Sequence, residues 1–77
     1  MKTDWKRYIV SDPKVMLGKP TIKGTRITVE LILEKVSRGE DFSQILESYP
    51  HLSKKAIYAC FSYASDSIKN ETAYSLT

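Results

Sequence analysis

Apolar positions recur at helical spacing through the second half of the chain. Val29, Ile32, Leu33 and Val36 follow i, i+3, i+4, i+7, which places them on one face of a helix. Thr28 precedes them as an N-cap, Glu30 sits in the first turn where the helix dipole favours an acid, and Gly39 stops the run. Asp41 and Gln44 form the spacing of a capping box for a second helix, with Phe42, Ile45, Leu46 and Tyr49 on its apolar side and Pro50 at its end. Ser53 caps a third, whose apolar stripe is Ala56, Ile57, Cys60, Phe61, Ala64 and Ile68. Ile57 and Phe61 are therefore expected in the core against Ile32, Leu33 and Ile45.

The first third reads differently. Tyr8-Ile9-Val10 is a short β-prone run closed by the turn signal Ser11-Asp12-Pro13. Thr21-Ile22 and Arg26-Ile27 flank Lys23-Gly24-Thr25, a candidate hairpin turn with Gly24 at positive φ. The pattern predicts two or three short strands, then helices of roughly 11, 9 and 16 residues. A short second helix, a turn and a longer third helix fit a helix-turn-helix in a mainly α fold with a short N-terminal β element. Any three-helix bundle shares that pattern. The expected divisions are 1–27, a basic β arm and dimerisation element; 28–69, the three helices; and 70–77, a tail without periodicity, expected to be flexible.

Seventy-seven residues make one domain. A chain of this size buries only about 60% of its unfolded surface, so its core is small. So short a ribbon is marginal alone, and it is expected to pair across a two-fold axis to give a homodimer. Cys60 is the one cysteine and His51 the one histidine, which excludes an intrachain disulfide and a four-ligand structural zinc site. A lone thiol without a signal peptide points to a reducing cytoplasm. No apolar run reaches the roughly 20 residues of a membrane span.

The net charge of +3 is unevenly spread. Residues 1–26 hold seven basic and two acidic groups, +5; residues 27–77 hold five basic and seven acidic groups, −2. Such asymmetry suits an anionic partner, nucleic acid foremost, although lysines also simply keep a small domain soluble. Catalysis finds little support. His51 has no nucleophile placed beside it, Cys60 falls on an apolar helix face, and Glu30 with Glu34 reads as a solvated face. No metal or cofactor is implied.

A binding surface is the better reading. With its apolar stripe turned inward, the third helix presents Lys54, Lys55, Tyr58 and Ser62, with Asp66 further along. Lysines there can neutralise phosphates, and hydroxyls can bond to phosphates or base edges. The same face can equally be an ordinary solvated one. It has no Arg, Asn or Gln for bidentate base contacts.

The stretches "GKPTIKGTRITVELIL" and "ILESYPHLSKKAIYACFSYA" resemble the prokaryotic family known as domain of unknown function 433. The family pattern is matched by Gly18, Lys19, Pro20, Ile22, Gly24, Thr25, Arg26, Ile27 and Gly39. It continues through Ile45, Leu46, Tyr49, Pro50, Leu52 and Ile57, covering roughly residues 8–65. Phe42 departs from it where proline is frequent, and Leu17 stands where a second glycine is common, which puts the local turn in question. The resemblance implies a homeodomain-like helix-turn-helix. It also implies an antitoxin of a type II toxin-antitoxin pair, a dimer that represses its own operator and neutralises a PIN-like RNase toxin. A stand-alone transcriptional regulator and a protein-interaction module without DNA binding remain as alternatives. Lys19, Lys23 and Arg26 are then left to face DNA or a partner subunit. Arg26 has a rival role in pairing with Glu30, one helical turn away.

Overall fold

The computed structural model describes residues 4–70. It is mainly helical: a two-stranded antiparallel sheet, β1 (Ile9–Val10) and β2 (Thr21–Ile22), precedes three helices, α1 (Val29–Ser37), α2 (Phe42–Ser48) and α3 (Lys54–Asn70). A single 3-10 turn, Trp5–Arg7, comes before β1. Ile9 pairs with Ile22 and Val10 with Thr21. The expected hairpin partner at Arg26-Ile27 is reduced to one bridge, Thr21 to Thr28, beyond which the chain enters α1. Asn70, expected in the tail, is the last residue of α3; the rest of that segment, residues 71–77, lies outside the described residues.

Local chemistry sets the helix ends. The Thr28 hydroxyl accepts the Leu31 N–H at 3.0 Å. Asp41 and Gln44 exchange both bonds of the capping box at 2.9 Å each. The Ser53 hydroxyl accepts the Ala56 N–H at 3.1 Å. α1 ends in a Schellman motif: Gly39, at φ +96°, donates to Val36 O, and Glu40 donates to Lys35 O. The usual apolar contact across that motif is replaced by an ion pair, Lys35 to Glu40 at 3.5 Å.

One core unites the arm and the helices. Ile32, Ile45, Ile57 and Cys60 are completely buried, and Ile9, Ile22 and Ile27 join the same cluster. Ile9, Ile22 and Ile27 are thus covered within the chain, while Val10 of β1 is exposed. The N-terminal 3-10 turn lies on α3: Trp5 Nε1 donates to Asp66 at 2.8 Å, and its ring meets Tyr63 edge-on at 4.8 Å. This contact changes the rotation of α3. Ala59 and Ser62 are buried, whereas Phe61 is only half-buried at the flank, stacked on Phe42 with centroids 6.2 Å apart.

The loop between the strands holds a strained turn. Met16, Leu17 and Gly18 have φ of 49°, 58° and 83° in succession. The turn at Leu17 therefore keeps a glycine-type backbone without a glycine there. A left-handed conformation costs an L-residue about 1–2 kcal/mol. Leu17→Gly is expected to stabilise the monomer by about 0.5–1 kcal/mol, part of the relief being offset by the entropy of an added glycine. Urea denaturation at low protein concentration measures it.

Candidate nucleic-acid interface

The turn Ile22–Thr25 is built by two residues. Gly24 takes φ +80°, and nothing lies within 4 Å of where its Cβ would stand, so glycine is needed for its backbone rather than for space. The Thr25 N–H donates to Ile22 O at 3.0 Å. The Thr25 hydroxyl donates to the same carbonyl at 2.7 Å and accepts the Ile27 N–H at 3.0 Å. That hydroxyl role was not read from the sequence; a threonine directly after a turn glycine was the available signal. Lys23 and Arg26 are left exposed on either side of a fixed turn.

This turn sits against the connection between α2 and α3. An open groove of about 320 Å³ is lined by Tyr8, Ile22, Lys23, Gly24, Thr25, His51, Leu52, Ser53 and Ala56. Lys23 thereby shares a groove with the residues that begin α3. Lys54 and Lys55 follow directly, both exposed and, among the described residues, without an ion-pair partner. Two cations in the first turn oppose the helix dipole, a small cost that an anion placed there would reverse. Arg26 lines a second groove on the far side of the turn, about 440 Å³, with Val10, Asp12 and Val15.

The remaining expected residues fall elsewhere. Tyr58 is exposed, but its ring packs edge-on against Phe42 at 4.9 Å, which ties it to α2. Ser62 is a correction: it is buried, because the N-terminal turn covers the flank of α3 that carries Ala59, Ser62, Tyr63 and Asp66. It is not on an open binding face. Lys19 is also separated from the others; it pairs with Glu30 at 3.1 Å and borders a groove lined by Val29, Leu33 and Ile68. Lys19 thus occupies the carboxylate considered for Arg26, and Arg26 has no ion-pair partner among the described residues. Glu34 pairs with Arg38 at 3.3 Å, so each carboxylate of the Glu30/Glu34 set has its own cation.

Cys60 is buried, and desolvation pushes its thiol from 9.0 up to about 12. Below pH 9 the folded and unfolded thiols are both protonated. Above it the unfolded thiol ionises first, so its contribution to stability is lost between pH 9 and about 12. Iodoacetamide at pH 8 is expected to leave the native protein unmodified and to label it fully in denaturant; mass spectrometry reads both. Among the described residues no cluster of three or more His, Cys, Asp or Glu is arranged to hold a metal, and no helix is long and apolar enough to cross a membrane.

Residues 9–64 match the family model described as "Protein of unknown function (DUF433)". The chain belongs to this family. The DUF433 match spans the strands, the Gly24 turn and all of α1 and α2, and it ends within α3. An uncharacterized protein, y4eO of Sinorhizobium fredii, is 29% identical over 59 residues. The alignment covers 77% of this chain and 27% of y4eO, so the chain spans about a quarter of that relative. No solved structure matches.

Proposed function

We propose that this DUF433 protein is a DNA-binding antitoxin of a type II pair, acting in the cytoplasm as a dimeric repressor of its own operator. In this reading α2 and α3 are a homeodomain-like helix-turn-helix, with α3 laid in the major groove. The observation that carries it is the open basic surface at the start of α3, where Lys54 and Lys55 stand beside the groove that Lys23 borders. Phosphates would supply the anion that the helix N-terminus and these cations lack. Arg26 would reach the backbone from the far side of the Gly24 turn. Sequence preference would come from few contacts, Tyr58 among them.

The toxin half, neutralisation of a PIN-like RNase, rests on the family resemblance. A gel-shift titration on the DNA upstream of the protein's own gene tests the repressor half: it should bind tighter than random DNA of equal length. Equal binding, with and without the product of the neighbouring gene, removes that half. A protein-interaction module is the second reading, favoured by the exposed apolar residues Leu17 and Ile68.

A further inference from the structure

We propose that the groove between α1 and the C-terminal half of α3, with the Met16–Leu17 tip beside it, is the surface through which two copies of this chain associate. It deepens the dimeric part of the reading above and rests on it. The groove is open, about 320 Å³, and lined by Pro20, Leu33, Ala64 and Ile68, with Lys19 and Glu30 among its lining. Ile68 is 70% exposed and Leu17, two residues before Lys19, is 94% exposed. An apolar groove with protruding apolar residues next to it suits a two-fold contact, in which one patch must complement itself.

Three observations favour a second copy as the occupant. Ile9 and Ile22 of the strands and Ile27 beyond them are buried within the chain, and Val10 is the exposed apolar residue of the strands, whereas this groove is an apolar surface left open among the described residues. The charges here balance: Lys19 and Glu30 are both exposed and 3.1 Å apart, so each can meet the partner's opposite charge across a two-fold axis. Around Lys23, Lys54 and Lys55, a second +3 chain would instead be repelled. Finally, Leu17 is held in a left-handed conformation while its side chain stands in water. Neither the fold nor solvation accounts for leucine there, whereas an apolar anchor at an interface does. Association here would also leave the basic first turn of each α3 free, since α3 is about 25 Å long.

Sedimentation equilibrium on the full chain tests this. Wild type should be a dimer at micromolar concentration. Ile68→Asp and Leu17→Gly should each raise the dimer Kd about tenfold or more, the scale of an interface hot spot. Leu17→Gly should do so while the unfolding midpoint of the dilute monomer holds or rises, which excludes loss of fold as the cause. Lys19→Glu alone should weaken association, and Lys19→Glu with Glu30→Lys should restore it. A wild-type dimer indifferent to Ile68→Asp and Leu17→Gly overturns this face and leaves the dimeric reading standing. A monomeric wild type overturns both, and binding of monomer to operator DNA remains a separate measurement.

Discussion

Ile57→Ala should cost about 2–5 kcal/mol, the range for truncating a fully buried isoleucine. Ile57 has no exposed surface and lies in the cluster that joins α3 to Ile32 and Ile45. At the usual 0.05–0.15 kcal/mol per residue, a domain of this size has only about 4–12 kcal/mol in total. The variant is therefore expected to be partly or wholly unfolded at 37 °C. Phe61→Ala, which helical spacing alone ranks with it, should cost about half of the 3–5 kcal/mol typical of a buried phenylalanine. Its ring is half-buried and loses mainly the stack on Phe42. Urea denaturation of both variants decides the order. If Phe61→Ala is the more damaging, α3 is rotated differently from the orientation described.

The reason those two residues diverge also shows what was legible in the chain. Much of what is set within four or five residues could be read: the Thr28, Asp41 and Ser53 caps, the Gly39 stop, the positive φ of Gly24. These depend on one side chain and the nearest backbone. The rotation of α3 depends on Trp5 meeting Asp66 and Tyr63, a contact 61 residues away in sequence. Helical periodicity assigns one apolar stripe to a helix, and it has no means to show that a second element covers an adjacent stripe containing a serine and an aspartate. Ser62 was misplaced for that reason. The Lys19–Glu30 pair failed to be foreseen for a related one: spacing offered Arg26, four residues from Glu30, while the ribbon's return brings Lys19 from eleven away. Leu17 is a different case. Side-chain type argued against a glycine-like turn, and the backbone adopts one regardless, through Gly18 N–H to Val15 O and Lys19 N–H to Met16 O.

Of the site itself, the basic residues were legible and their grouping was not. Lys23 is 31 positions before Lys54, and only the packing of the Gly24 turn on the His51–Ser53 connection sets Lys23 in a groove that ends where α3 begins. That grouping leads to the second large effect. If Lys54 and Lys55 each meet a phosphate, a dimer makes four such contacts, each adding about 0.9 to the slope of log affinity against log salt. Lys54→Ala with Lys55→Ala should flatten that slope by about 3.6 and weaken binding to all DNA sequences alike. Lys23→Ala should flatten it further, by about 1.8 for two subunits. Lys19→Ala should leave the slope unchanged, since Lys19 is paired with Glu30 and borders the apolar groove instead. Because the four lysines are exposed, none of these changes should disturb the fold, which circular dichroism verifies. Fluorescence anisotropy on a labelled promoter duplex at four or more salt concentrations gives every slope. A Lys19 effect as large as that of Lys54 would move the DNA surface to the other end of α3 and reverse the assignment of the two faces.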